Sequence, residues 1–105
     1  EERIESGNIC FYVKEMRALA AGKEISLTKN EWKMLRFFME HPKQILSKNQ
    51  LLGQLFDTEG DFVDENTIAV NIRRLREKIE PDSSKPEYIK NIRGIGYLWD
   101  KECRR

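Results

Sequence analysis

Apolar residues in the second half of the chain recur at the spacing of an α-helix. Ile68, Ile72, Leu75 and Ile79 follow one another at steps of four, three and four, so they form one apolar stripe. The pattern predicts a helix from Thr67 to Ile79 with this stripe buried. Successive steps of about 100° place polar residues on the other side. The opposite side carries Asn66, Val70, Arg73, Arg74 and Glu77, and the flanks carry Thr67, Asn71, Arg76 and Lys78.

A β-rich pattern follows this helix after a polar Pro/Ser turn. The runs 88–92 and 97–99 are separated by Arg93-Gly94-Ile95-Gly96, which predicts a hairpin whose glycines permit positive φ in the turn. Arg93 then stands at the tip of the hairpin. Because Tyr97 and Trp99 are two residues apart on one strand, we expect both to pack against the preceding helix.

Short strand-like runs open the chain. Ile9, Phe11 and Val13 alternate with other residues, and the runs 16–20 and 23–27 follow around Gly22. This part of the sequence predicts a small antiparallel sheet.

Two helix starts come next. Thr28 and Glu31 have capping-box spacing, as do Ser47 and Gln50, so each pair can satisfy free backbone N–H groups at a helix start. Pro42 ends the first of these helices. The predicted buried residues of the first helix are Trp32, Leu35, Phe38 and Met39, and those of the second are Leu51, Leu52, Leu55 and Phe56.

The predicted order is sheet, three helices and hairpin. Residues 57–62 form a loop, and Asp64 is the expected cap of the third helix. A second helix, a loop and an arginine-bearing third helix are typical of a helix-turn-helix, and the closing hairpin makes it winged. The predicted fold is therefore α+β: a winged helix-turn-helix with an N-terminal antiparallel sheet, a three-helix core and a C-terminal β-hairpin wing.

Size and composition narrow the possibilities. A chain of 105 residues, 39% apolar and 35% charged, fits a single domain. It has no apolar run of roughly 20 residues and no signal-peptide pattern at its start, so we expect a cytoplasmic protein without a membrane partner. Cys10, His41 and Cys103 lack metal-ligand spacing. We expect free thiols, and a Cys10–Cys103 disulfide remains an open alternative.

Charge is distributed unevenly although the net charge is only +1. Residues 57–65 are acidic and contain no base, whereas the part that follows is rich in Arg and Lys. Arginine and asparagine have donor geometry that suits base edges in a major groove, and Val70 can meet a thymine methyl group. Arg93 on a narrow turn can enter a minor groove. The alternative is an ordinary amphipathic helix with a solvated charged face.

Four stretches together resemble the C-terminal effector domain of OmpR/PhoB-family response regulators. They are Leu27-Thr28-x-x-Glu31-Trp32-x-x-Leu35, Leu46-Ser47-Lys48-x-x-Leu51-Leu52, the helix from Asn66 to Ile79, and Ile92-Arg93-Gly94-Ile95-Gly96-Tyr97. The resemblance implies a four-stranded N-terminal sheet and no enzymatic activity or cofactor. It also implies a linker remnant at residues 1–7, a DNA-binding domain at 8–100 and a tail at 101–105.

Matching positions also imply roles for individual residues. Arg73, Arg74 and Asn71 are expected to read bases, Val70 to make apolar contacts, and Arg93 to enter the minor groove. Asn66 is expected to face the major groove and Thr67 to hold a backbone phosphate. The hypothesis of DNA binding adds Lys48 and Arg76 as further phosphate contacts. Many relatives carry an acidic residue and a histidine where this chain has Ala69 and Asn71, so their base preferences are not transferred.

The resemblance implies partners as well. Double-stranded DNA with direct repeats is the expected ligand, bound by a domain that is a monomer or weak dimer on its own. A receiver domain, absent from this chain, would control it. The acidic loop matches a segment that touches RNA polymerase in several relatives, and its candidate residues are Asp57, Glu59, Asp61 and Phe62.

Two other function classes compete with DNA binding. A protein-interaction module, for example one that contacts RNA polymerase without direct base readout, would use the same surface or the acidic loop. An enzyme would need an acid, a base and a nucleophile in one place. His41 precedes a proline at a helix end and Ser47 already has a capping role, so the sequence offers no such constellation.

Overall fold

The structure is a computed structural model that describes residues 2–55 and 65–105, with the backbone alone for residues 65 and 66. Its element order is sheet, three helices and hairpin, as predicted, with one additional strand. The elements are β1 Arg3–Ser6, β2 Ile9–Tyr12, β3 Arg17–Ala20, β4 Lys23–Ile25, α1 Lys29–Glu40, β5 Ile45–Ser47, α2 Lys48–Leu55, α3 Glu65–Ile79, β6 Ile89–Ile92 and β7 Gly96–Trp99. The predicted positions of Phe56, the loop 57–62 and the cap Asp64 lie outside the described residues.

The N-terminal sheet begins earlier than expected. Its strand order is β1-β2-β3-β4 with antiparallel neighbours. The side chain of Ile4 on β1 is 0% exposed and belongs to the core. Residues 1–7 were predicted to be a linker remnant, and this is wrong for β1, because Arg3–Ser6 pair with β2 and the single apolar residue of the segment is buried in the core.

The tail predicted at residues 101–105 is also part of the domain. The N–H of Glu5 donates to the carbonyl of Arg104 over 2.7 Å, and the N–H of Arg104 donates back to Glu5 over 2.7 Å. The Ser6 hydroxyl donates to the carbonyl of Glu102 at 2.8 Å. The predicted limits 8–100 are therefore too narrow at both ends.

Both predicted helix caps are present. The Thr28 hydroxyl accepts from the N–H of Glu31 while the Glu31 carboxylate accepts from the N–H of Thr28. Ser47 and Gln50 make the same reciprocal pair at 2.8 and 3.1 Å. Each pair fixes the first turn of its helix and so sets the direction in which the helix leaves the preceding strand or loop.

The core lies between the helices and the inner faces of the two sheets. The predicted stripe of α3 is buried throughout, as are Leu35, Phe38 and Met39 of α1. Trp32 was predicted to be buried with them; it is partly buried and packs against the core, with the Arg36 guanidinium 5.5 Å from its ring centre. The α3 stripe therefore faces inward, and the opposite side of the helix is left on the surface.

A second sheet contains a strand that the sequence did not reveal. Its order is β5-β7-β6, with β7 antiparallel to both neighbours. β5 is three residues long and has one buried side chain, Leu46. Such a short segment carries no alternation of its own, so only pairing with β7 defines it as a strand.

Trp99 on β7 is fully buried where the second sheet meets the first. Its indole Nε1 donates to the Ser6 hydroxyl at 2.9 Å, and its ring lies 6.3 Å from Phe38 of α1 and 5.3 Å from Tyr88. Its aromatic neighbours are thus Phe38 of α1 and Tyr88, and Trp99 belongs to the same core cluster as the buried stripe of α3. Tyr97 does face α3, where the Arg76 guanidinium lies 5.9 Å from its ring centre.

The two cysteines are free and half-buried, so the alternative of a Cys10–Cys103 disulfide is not what the structure shows. Cys10 pairs with Glu5 across one edge of β1, and Arg104 pairs with Glu5 across the other. The segment that carries Cys103 and the strand that carries Cys10 are thus separated by β1.

Burial raises the pKa of the Cys103 thiol, although hydrogen bonding with Ser6 and Trp99 opposes the effect. Since the thiolate is the reactive form, we expect Cys103 near pH 8 to react with iodoacetamide more slowly in the folded domain than in urea. Timed alkylation with peptide mass spectrometry measures both rates. Equal rates in the two conditions would contradict the expectation.

None of the helices in the described part of the chain is long and apolar enough to cross a membrane.

Candidate nucleic-acid interface

The exposed side of α3 presents two arginines. Ala69, Arg73, Arg74 and Glu77 are exposed, and Val70 is half-exposed. Neither arginine forms an ion pair with another described residue. Their position follows from the buried stripe on the other side of the helix, which leaves two adjacent guanidinium groups available to a ligand.

Two further positions predicted for the interface lie near the start of α3. Thr67 is half-exposed and takes part in an interaction within the domain. The side chain of Asn66 lies outside the described residues, so its contact with DNA stays a prediction.

Asn71 does not belong to the exposed side of α3. Its side chain is only 5% exposed, and its Nδ2 donates to the carbonyl of Thr67 at 2.8 Å. The expectation that Asn71 reads bases is therefore wrong for this structure. The signal was available in the sequence, because Asn71 lies three residues after Ile68 and four before Leu75 and so borders the buried stripe.

Arg76 also makes contacts within the protein. Its Nε and Nη2 donate to the carbonyl oxygen of Ile89 at 3.2 and 2.9 Å, and its guanidinium lies over the ring of Tyr97. The side chain is half-buried. Two of the guanidinium donors thus connect α3 to β6, and the phosphate contact expected of Arg76 stays a prediction.

The hairpin turn presents the third arginine of the surface. Residues 93–95 join β6 to β7, with the N–H of Ile95 donating to the carbonyl of Ile92 at 3.0 Å. Gly94 has a φ of +79°, the conformation that was predicted for this turn. Arg93 is exposed and has no ion pair among the described residues. We call residues 89–99 the wing.

Lys48 occupies the first position of α2 and is exposed. The free N–H groups and the positive end of the helix dipole lie at this terminus, which favours a nearby anion. The placement is compatible with the phosphate contact predicted for Lys48.

Two glutamates support this surface through contacts that were not predicted. Glu31 of α1 is 1% exposed and pairs with Lys78 near the end of α3, which ties the two helices together. Glu80 is 8% exposed, and its carboxylate accepts from the N–H groups of Glu87, Tyr88 and Ile89 at 2.7 to 3.1 Å. In the sequence Glu80 is only another charged residue before a proline, so no pattern distinguishes it.

The candidate polymerase-contacting residues Asp57, Glu59, Asp61 and Phe62 lie outside the described residues. Within residues 2–55 and 65–105, no group of three or more His, Cys, Asp or Glu side chains is arranged to hold a metal ion.

A three-helix core whose last helix exposes arginines beside an arginine-tipped hairpin defines a winged helix-turn-helix domain. The chain belongs to the family described as "Transcriptional regulatory protein, C terminal", whose sequence model matches residues 22–99. Its relatives place it with the OmpR/PhoB-type response regulators.

Curated relatives are similar over most of this chain. The transcriptional regulatory protein YcbL of Bacillus subtilis is 42% identical over 94 residues, which cover 90% of this chain and 41% of the relative. The phosphate regulon regulator PhoB of Escherichia coli is 34% identical over 97 residues, which cover 92% and 42%. This chain thus spans about two fifths of the length of these relatives.

Solved structures show the same fold. The response regulator DrrB of Thermotoga maritima, an OmpR/PhoB homologue, aligns with a TM-score of 0.81 at 30% identity, over 90% of this chain and 42% of DrrB. The DNA-binding domain of Klebsiella pneumoniae RstA, solved in complex with the RstA box, aligns with a TM-score of 0.80 at 25% identity, over 95% and 98%.

Proposed function

We propose that this domain binds double-stranded DNA sequence-specifically, and that it controls transcription as the effector domain of a two-component response regulator. The observation that carries the proposal is the exposure of Arg73 and Arg74 on α3 together with Arg93 on the wing. The RstA domain, solved with its DNA box, supports it through the shared fold.

The proposed binding mode assigns one groove to each element. A major groove about 12 Å wide admits α3, where an arginine can donate two hydrogen bonds to a guanine edge and Val70 can contact a thymine methyl group. Arg93 enters the adjacent minor groove, where the negative potential attracts a guanidinium. Lys48 and Thr67 contact phosphates, which fix the register without carrying sequence information.

Selecting binding sites from a pool of random DNA duplexes tests this function. The expected result is an enriched motif that the domain binds at least tenfold more tightly than a scrambled duplex of the same length at the same salt concentration. A pool that shows no enrichment, with no saturable binding at low salt, would overturn the proposal.

The salt dependence of binding reports the phosphate contacts. The logarithm of the binding constant should fall linearly with the logarithm of salt concentration, by about 0.9 for each phosphate neutralised. We expect Lys48→Ala to weaken binding to all duplexes alike and to reduce this slope by about 1. Fluorescence anisotropy titrations at several salt concentrations measure it.

Lys23→Ala is the matched control, because Lys23 is an exposed lysine on the N-terminal sheet and has no role in the proposed interface. An unchanged slope in Lys48→Ala, or an equal reduction in Lys23→Ala, would remove Lys48 from the phosphate contacts.

The proposal extends to partners. We propose that two copies occupy direct-repeat sites, each copy being a monomer or weak dimer when free, and that a receiver domain controls them in the cytoplasm. The greater length of the relatives supports a further domain. RNA polymerase remains the proposed partner of residues 57–62, and we propose no catalytic activity for the domain.

A further inference from the structure

The first residue of β6 is held on both of its backbone polar groups, by one side chain from α3 and one from the residue that directly follows the helix. The N–H of Ile89 donates to Glu80 Oε2 at 2.9 Å, and the carbonyl oxygen of Ile89 accepts from Arg76 Nε and Nη2. We call Arg76 and Glu80 the clamp. Their separation of four residues places both on one side of the helix end.

The clamp occupies the open edge of the sheet. β6 is one of the two outer strands in the order β5-β7-β6, and the N–H of Asp100 donates to the carbonyl of Tyr88 at 2.7 Å. Because hydrogen-bonded and non-hydrogen-bonded pairs alternate along antiparallel strands, the polar groups of the next residue, Ile89, point away from β7. They point to the clamp, which therefore supplies the contacts that a further strand would make.

The Glu80 carboxylate has no other described function. It is almost completely buried, and its two oxygens accept all their hydrogen bonds from backbone N–H groups of residues 87–89. Burying a charged group is costly unless such partners are present. The residues between it and β6 are mostly exposed, so the clamp is where the chain becomes attached to α3 again after the helix ends.

Because the clamp lies at the base of β6, it can determine the position of the wing tip. Arg93 is four residues beyond Ile89, about 13 Å along an extended strand, whereas Arg73 and Arg74 are within about 5 Å of Arg76 along the helix axis. A rotation of β6 by about 10° at Ile89 would move the tip by roughly 2 Å at that distance. Such a displacement is enough to break a hydrogen bond between Arg93 and DNA.

We propose that the clamp fixes the angle between α3 and the wing, so that Arg93 reaches the minor groove while Arg73 and Arg74 occupy the major groove. Arg76 and Glu80 are then positioning residues that act on DNA binding through Arg93. This inference rests on the proposed function and concerns how α3 and the wing are held in the relative orientation that DNA binding requires.

A double-mutant cycle between Glu80→Gln and Arg93→Ala tests the inference. Glutamine keeps the size of the side chain but turns one acceptor oxygen into a donor, which opposes the backbone N–H groups. Affinity is measured on the duplex selected for the wild-type domain. Arg93→Ala is expected to weaken binding by about tenfold in the wild type and by no more than about twofold in Glu80→Gln.

Two controls separate positioning from a general loss of structure or charge. Glu87→Gln removes the same charge from an exposed side chain next to the clamp, and there Arg93→Ala should keep its full effect. Arg74→Ala should likewise keep its full effect in Glu80→Gln, since the clamp does not position α3 itself. A merely unfolded or loosened domain would lose the contribution of both arginines.

The same tenfold effect of Arg93→Ala in Glu80→Gln as in the wild type would overturn the inference. Should Glu80→Gln fail to fold, Arg76→Lys takes its place in the cycle, because lysine keeps the positive charge but lacks the paired donors to Ile89. Full additivity between Arg76→Lys and Arg93→Ala would also overturn the inference. A wild-type domain that does not distinguish the selected duplex from a scrambled one would instead overturn the proposed function.

Discussion

Replacing Arg73 and Arg74 together by alanine should reduce affinity for the selected duplex to the level of a scrambled one. Each arginine that donates two hydrogen bonds to a guanine contributes about 1 to 3 kcal/mol of discrimination. Both side chains are exposed and unpaired among the described residues, so their removal leaves no buried group without a partner. Anisotropy titrations on the two duplexes at one salt concentration measure the ratio of affinities.

The matched control removes another adjacent pair of arginines. Arg104 and Arg105 are exposed, and Arg105 forms ion pairs with Glu2 and Glu40 at 3.2 and 3.7 Å. Arg104→Ala with Arg105→Ala lowers the net charge equally but should preserve discrimination. Equal losses of discrimination in the two double variants would show that charge alone, and not base reading by α3, is responsible.

Gly96→Ala should destabilise the domain more than any other glycine substitution in the wing. A Cβ at this position would lie 2.0 Å from the carbonyl oxygen of Leu46 and 2.9 Å from Ser47 Cα. Both neighbours are backbone atoms of β5, so neither can move aside without separating β5 from β7. We expect a loss of about 3 kcal/mol in the free energy of unfolding, the upper end for overpacking, measured by urea denaturation.

Gly94→Ala provides the comparison on the same hairpin. A Cβ there would meet nothing within 4 Å, but the φ of +79° is unfavourable for alanine. The expected cost is about 1 kcal/mol. If Gly94→Ala were the more destabilising of the two, the close approach of β5 to β7 at Gly96 would not be the reason that glycine is required.

These two glycines show what a sequence can reveal about the fold. Gly94 was predicted correctly, since positive φ in a two-strand turn is a local property. Gly96 was assigned the same role, but the structure gives it no positive φ. Glycine is required at this position because the backbone of Leu46, about 50 residues earlier in the chain, approaches it closely. That approach depends on β5, whose three residues have no local pattern.

β1 was missed for a similar reason. Its one core residue, Ile4, is flanked by charged residues and has no periodic neighbours, so the segment resembles a linker. By contrast, the capping boxes at Thr28 and Ser47 depend on residues three positions apart, and the structure contains both. Elements defined by spacing along the chain were predictable, and those defined by a distant partner were not.

The candidate interface likewise contains features that are set by spacing along the chain and features that are set by a distant partner. The exposure of Arg73 and Arg74 follows from helical geometry alone. Arg76 has the same side chain in the same helix, but its donors are used by Ile89 of the wing. Helical geometry places Arg76 on the flank of the buried stripe, but its contact with Ile89 depends on the path of the chain after the helix. Glu80 was not predicted for the same reason, because its backbone partners are also set by that path.

The antiparallel bridge between Glu5 and Arg104 has a consequence for how the domain behaves at high concentration. β1 is an outer strand of its sheet, and an uncovered outer strand can pair with the same strand of another molecule and start aggregation. Arg104 occupies the backbone groups of Glu5 in the middle of β1, and the flanking residues 102–105 carry charges of both signs. The last residues of the chain thus shield the first strand from self-association.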